Sequence, residues 1–198
     1  MMGQGQSVQG AVRLQDVTCV RGERTLFSGL SVALAPGDAA MVSGPNGIGK
    51  SSLLRLIAGL LVPASGTLDV IGRMALTGEA TTLDPRLPLA EALAFWAGID
   101  GAKDDPVAEA LRDMAIEHLG EVPVRILSTG QKKRAVLASV IAGGAEIWLL
   151  DEPANGLDMK SIGLLENVIA RHRARGGIAL VATHQPLTLP GAQSVVLA

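Results

Sequence analysis

Residues Gly44-Pro45-Asn46-Gly47-Ile48-Gly49-Lys50-Ser51 carry the densest chemistry in the chain. Their form is G-x-x-x-x-G-K-[ST], a loop whose backbone N–H groups close around phosphate oxygens. Glycine at 47 and 49 lets the backbone approach an anion with no Cβ in the way. The Lys50 ammonium is placed to reach β- and γ-phosphates, and the Ser51 hydroxyl to hold Mg²⁺. Ser52 follows in the first helical turn and belongs to the same candidate set. The flanks fit this chemistry. Ala39-Ala40-Met41-Val42, entered through Pro36-Gly37-Asp38, reads as a buried strand. The stretch from Ser52 to Ala58 reads as a helix, and its N-terminus adds partial positive charge at the phosphates.

A second constellation lies 101 residues after Lys50, where Ile147-Trp148-Leu149-Leu150 runs into Asp151-Glu152. Carboxylates at the carboxyl end of a parallel strand sit near the phosphate loop in open α/β sheets. Asp151 would hold Mg²⁺ directly or through water, and Glu152 would polarise an attacking water as general base. Between the two lies Leu127-Ser128-Thr129-Gly130-Gln131, which opens a helix reaching about Ala142 with Ser128 as N-cap. Lys132, Lys133 and Arg134 follow in its first turn, where cations oppose the helix dipole. They serve either an anionic partner or a solvated face.

Helices and strands must bring these pieces together. The 198 residues are 48% hydrophobic with only 2% aromatic, so the core is Leu, Val, Ile and Ala. Strands are expected over Ala11–Val20, Thr25–Leu34 (interrupted at Ser28-Gly29), Thr67–Val70, Met74–Leu76, Ile147–Leu150, Ile178–Thr183 and Ser194–Leu197. Helices are expected from Gly49 to about Leu61, over Leu89–Ala97, Pro106–Leu119 and Asp158–Arg175. Strands alternating with helices across 36–184 predict an α/β fold with a largely parallel central sheet. A small antiparallel subdomain precedes it, and a helical subdomain is inserted at about 81–128. One domain spans 11–198, after a disordered lead-in at 1–10.

Composition excludes several classes. A net charge of −2 gives no electrostatic case for nucleic acid. Cys19 is the single cysteine, so no disulfide forms within the chain, which fits a reducing compartment. No apolar run approaches 18 residues, so direct membrane insertion is not expected, and any membrane association comes through a partner. His118 and His172 each sit on an expected helix without a paired ligand. They read as surface or satisfied histidines, not as haem ligands.

Taken in order, the motifs are similar to those of the ATP-binding cassette (ABC) ATPases, over the chain from about Ala11 to its end. Ser128-Thr129-Gly130-Gln131 resembles their signature motif, with Thr129 in place of a glycine. Asn155-Gly156-Leu157-Asp158 resembles their D-loop, and His184, 32 residues after Glu152, their switch histidine. The resemblance implies a P-loop NTPase of the cassette fold that binds ATP and Mg²⁺. It implies a head-to-tail dimer in which the P-loop of one subunit faces Ser128, Thr129, Gly130 and Gln131 of the other. Glu152, His184 and Lys50 are then the catalytic group. Ser51 and Asp151 are the metal group, and Asp158 belongs to the D-loop.

A narrower resemblance is to the ATP-binding subunits of haem exporters that serve cytochrome c biogenesis. Arg21-Gly22-Glu23-Arg24-Thr25-Leu26-Phe27-Ser28-Gly29-Leu30, the L-S-T-G-Q signature, Leu89–Trp96 and Thr183-His184-Gln185-Pro186-Leu187 carry it. It implies membrane-spanning permease partners and a peripheral place on the cytoplasmic face of the inner membrane. An ATPase subunit of another exporter, for a drug, lipid or peptide, is the alternative. Three departures stand out. The family's Q-loop glutamine falls at Glu79-Ala80 and is missing, so either Glu79 takes over or coupling is weakened. Arg21 stands where an aromatic residue usually stacks on adenine, and is either a stacking guanidinium or a solvated turn residue. The segment between Val70 and Met74 is trimmed, which predicts a minimal antiparallel subdomain.

Overall fold

The computed structural model describes residues 10–78, 83–98 and 106–198. Most of the expected lead-in at 1–10, and Glu79 and Ala80, lie outside them. A first antiparallel layer holds β1 (Ala11–Arg21), β2 (Arg24–Leu34) and, after the phosphate loop, β4 (Ser65–Ile71), in the order β2-β1-β4. Alternation on β1 slips by one residue, from Val12 and Leu14 to Val17 and Cys19, all buried. The cause is a bulge at Asp16, whose φ of 51° shifts the register between Leu14 and Val17. Both apolar pairs therefore face the same core. Ser28-Gly29 does not break β2, which runs through as one strand.

The central sheet has five strands in the order β5-β6-β7-β3-β8, every pair parallel. They are β3 (Ala39–Ser43), β5 (Met74–Thr77), β6 (Ile147–Asp151), β7 (Ile178–Ala182) and β8 (Gln193–Val196). The inner strands β6 and β7 are near-continuous apolar runs because both faces are covered. Ile147, Leu149, Ile178 and Leu180 face one core with the antiparallel layer and α1 (Lys50–Ile57). Trp148, Leu150, Ala179 and Val181 face the other. That second core holds α2 (Leu89–Gly98), α3 (Pro106–Asp113), α4 (Thr129–Ala142) and α5 (Met159–Ala174). The fold is the expected α/β arrangement with a parallel centre.

Two helices are shorter than their spacing predicts. The helix after the phosphate loop ends at Ile57 rather than near Leu61, since Gly59 turns left-handed at φ 71°. The helix expected over Pro106–Leu119 ends at Asp113, where Ala115 takes φ 51°, and a 3₁₀ turn at Glu117–Leu119 follows. Met114, Ile116 and Leu119 stay buried across the break. The apolar spacing thus persists through a change of backbone. Because all five central strands run in parallel, their carboxyl ends share one edge. That edge gathers Thr77, the phosphate loop, Asp151-Glu152 and Thr183-His184.

Candidate functional site

The loop after β3 holds its shape through three glycines, each with its own reason. Gly44 has φ 143°, and a Cβ there would stand 2.5 Å from the Leu197 carbonyl oxygen. Gly49 has φ 120°, and its Cβ would press on Leu26 at 3.0 Å and Phe27 at 3.2 Å. Gly47, at φ 78°, has nothing within 4 Å of a Cβ and lines the cleft described below. No side chain caps the N-terminus of α1, whose first turn carries no acid. Its leading N–H groups stay available to an anion. Lys50 is 7% exposed, and its Nζ donates to the Gly44 carbonyl at 2.8 Å and the Pro45 carbonyl at 3.2 Å.

This loop opens onto a cleft of about 610 Å³. Asn46, Gly47, Gly49, Lys50, Ser51 and Ser52 line it, as do Asp151 and Glu152. Arg21 lines it too, beside Leu26, so the structure brings the departing arginine to the cleft. Gly44, Pro45 and Ile48 shape the loop without lining the cleft. Gly78 packs close to Asp151, such that a Cβ on it would lie 3.8 Å from the Asp151 Oδ2.

Glu152 sits just past β6 with φ 48°, an unusual value for a residue with a side chain. Its N–H donates to the Ala182 carbonyl at 2.7 Å, which ties the turn to the end of β7. Its Oε2 lies 2.9 Å from His184 Nδ1 and 3.4 Å from the His184 backbone nitrogen, which donates to it. Thr183 fixes the approach of His184 by accepting from the Gln185 N–H at 2.9 Å. Acid and imidazole, 32 positions apart in sequence, are in direct contact; Glu152 lines the cleft and His184 does not.

The signature helix begins with a capping box. Ser128 Oγ accepts from the Gln131 N–H at 3.3 Å, and Gln131 Oε1 accepts from the Ser128 N–H at 2.8 Å. Ser128 is the expected N-cap. Thr129, Lys132 and Lys133 line the cleft of their own chain, whereas Ser128, Gly130 and Gln131 do not. The three cations therefore divide. Lys132 and Lys133 line the cleft, with the exposed Lys132 Nζ donating to the Arg125 carbonyl at 3.3 Å, while Arg134 donates to the Met114 and Ala115 carbonyls, 3.1 Å each, and ties α4 to the turn after α3. Asp158 is the N-cap of α5, accepting from the Ser161 N–H at 2.7 Å. That bond holds its carboxyl below the usual range.

Arg55 and Thr77 also line the cleft and belong to no motif, and Lys132 and Lys133, marked by their place in the first turn of α4, line it with them. Spacing on α1 places Arg55 one turn beyond Ser51, so a helical wheel finds it. Thr77 gives no such signal. It is 3% exposed, and its Oγ1 has no hydrogen-bond partner among the described residues. A buried hydroxyl left unpaired costs about 1–3 kcal/mol.

Residues 27–155 match the ABC transporter family. The cytochrome c biogenesis ATP-binding export protein CcmA of Sphingopyxis alaskensis is 52% identical over 184 residues, covering 93% of this chain and 95% of that one. The chain belongs to the ABC transporter family, in its CcmA branch. This ABC cassette is also 50% identical to the CcmA protein of Rhodospirillum rubrum, over 92% of this chain and 84% of that one. Its fold matches an ABC transporter ATP-binding protein from Pyrococcus furiosus with a TM-score of 0.82 at 22% identity, over 94% and 97% of the two chains. The cassette is thus an ATP-binding, ATP-hydrolysing subunit.

Proposed function

We propose that this ABC ATPase powers a membrane complex that handles haem for c-type cytochrome maturation, either exporting haem or releasing it to a haem chaperone. The names of its relatives support this reading, since they carry cytochrome c biogenesis, ATP binding and export together. Among the described residues no helix is long and apolar enough to cross a membrane. A permease partner would supply the spanning segments, with the cassette peripheral on the cytoplasmic face of the inner membrane.

One observation carries the chemistry: Lys50 and Glu152 line a single cleft, and His184 contacts Glu152 from outside that lining. ATP enters with its base toward Arg21 and Leu26, where a guanidinium plane stacks on adenine. The loop N–H groups and the α1 N-terminus take the phosphates, and Lys50 leaves its two carbonyl partners for the β- and γ-phosphates. Ser51 and Asp151 offer only hard oxygen donors, a set that fits Mg²⁺. When bound, that ion neutralises charge on the phosphate oxygens. With Oε2 held by His184, Glu152 accepts the proton of the attacking water on Oε1. His184 orients Glu152 and faces the γ-phosphate.

Two such cassettes pair head to tail, each closing the other's site with Ser128, Thr129, Gly130 and Gln131, while Asp158 lies at the junction. The signature helix then points its N-terminal N–H groups at the partner's phosphate, as α1 does in its own subunit. The test is a pull-down from native membranes of the tagged Glu152→Gln chain with ATP. Recovery of small multi-spanning proteins with a haem-binding chaperone supports the haem reading. Recovery of an unrelated permease overturns it and leaves the ATPase intact.

A further inference from the structure

We infer that Arg55, Lys132 and Lys133 steer nucleotide into the cleft by their charge, and favour the triphosphate over the diphosphate. The inference rests on the nucleotide reading of that cleft. Among the described residues, five cations and two carboxylates line it, although the whole chain carries a net charge of −2. Arg21 and Lys50 already have places in the proposed reaction, and so do Asp151 and Glu152. Those four balance in charge. The excess is wholly Arg55, Lys132 and Lys133.

Local structure does not account for these charges. Lys132 and Lys133 stand close to the N-terminus of α4, where a cation opposes the helix dipole, and no acid lies in the first turn to offset them. Their neighbour Arg134 is used by the fold, since it holds two carbonyls of the turn after α3. Lys133 has no hydrogen-bond or ion-pair partner among the described residues, and neither has Arg55. Lys132 meets only the Arg125 carbonyl, at 3.3 Å. Exposure then decides how the three act. Arg55 and Lys132 are exposed and Lys133 is half-buried, so each keeps much of its water. Charges so hydrated add little as individual contacts. Their summed field does more. A cleft lined by an excess of one sign focuses that field and raises association rates by about 10–10³-fold. The pull grows with the charge of the ligand, so a triphosphate gains more than a diphosphate.

The test is stopped-flow binding of the fluorescent nucleotides MANT-ATP and MANT-ADP to the full chain, at about 20 mM and about 500 mM salt. One triple variant removes the charges, with Arg55→Gln, Lys132→Gln and Lys133→Gln. A second keeps them, with Arg55→Lys, Lys132→Arg and Lys133→Arg. All six replacements are good helix formers, and the single glutamine variants stand in if the neutral triple variant does not fold. At low salt the neutral variant should take up MANT-ATP at least about tenfold more slowly than wild type, and MANT-ADP with a smaller loss. At high salt the rates should converge to within about twofold, because screening shortens the reach of a charge to a few ångströms. Dissociation rates should stay within about twofold throughout. The charge-keeping variant should match wild type, and each single variant should show part of the low-salt loss. An unchanged association rate at low salt overturns the inference, as does a loss that persists at high salt. A loss confined to the dissociation rate overturns it too, since that marks a contact with bound nucleotide. So does an equal loss in the charge-keeping variant, which marks shape. Absence of saturable MANT-ATP binding to wild type, or undiminished binding by Lys50→Ala, instead overturns the nucleotide reading itself.

Discussion

His184 holds one oxygen of Glu152 twice, through Nδ1 at 2.9 Å and through its backbone nitrogen at 3.4 Å. These two contacts orient the carboxylate. Glu152→Gln should lower the turnover of ATP by about 10²–10⁴-fold, the usual scale of a positioned general base. It should leave nucleotide affinity nearly intact. His184→Ala should lower turnover as well, and the double variant should be no more than about threefold worse than Glu152→Gln alone, because the two act as a unit. Steady-state phosphate release measures all three. Multiplicative losses would mean that the two residues act separately.

Gly44 and Gly47 share a loop but not a purpose. Gly44→Ala puts a methyl 2.5 Å from the Leu197 carbonyl at a φ that L-residues avoid. It should destabilise the chain by about 2 kcal/mol or more. Gly47→Ala meets no protein atom within 4 Å, so its stability loss should be smaller and its loss of ATP affinity larger. Urea unfolding and nucleotide titration on both variants decide. Equal stability losses would show that packing on the C-terminal strand is not what Gly44 serves.

Ser128 has two candidate roles, the cap seen in its own chain and the contact proposed across a dimer. Ser128→Ala removes the cap and should cost about 1 kcal/mol. Ser128→Asp keeps a good capping acceptor, so its stability should stay within about 0.5 kcal/mol of wild type. A carboxylate facing the partner's phosphate would nevertheless repel it. Turnover of Ser128→Asp should therefore fall at least tenfold at unchanged melting temperature. A stable and fully active Ser128→Asp would remove Ser128 from the phosphate contact.

Much of this architecture is legible in the chain because its strands are simple. Runs such as Ile147–Leu150 and Ile178–Ala182 are apolar throughout, and burial on both faces leaves no other reading. The phosphate loop and Asp151-Glu152 follow from motif and position together. Backbone breaks are harder to read. Ala115 adopts φ 51° without being glycine, and the apolar spacing of Met114, Ile116 and Leu119 continues past it, so nothing local marks the end of α3. The burial of Thr77 depends on the neighbour of β5, which only the fold supplies. Sequence places Lys132 and Lys133 in one helical turn but not beside the phosphate loop; that proximity comes from the packing of α4.

His172 is the satisfied histidine its isolation suggested, and it makes stability depend on pH. Its ring stacks on Trp148 with centroids 3.8 Å apart and planes 7° from parallel. Its Nε2 lies 3.3 Å from the Ile178 carbonyl. Burial of the imidazole lowers its pKa below the ordinary value; the Ile178 carbonyl pulls the other way and does not win. The folded chain therefore resists a proton that the unfolded chain accepts at about pH 6.5. By linkage, stability rises with pH wherever the unfolded state binds more protons. The contribution is intact above about pH 6.5 and declines as pH falls below it. His172→Phe keeps an aromatic ring on Trp148 and removes the titrating group. Its melting temperature should fall less steeply between pH 7.5 and 5.5 than that of wild type. Parallel slopes would show that other groups carry the acid sensitivity of this fold.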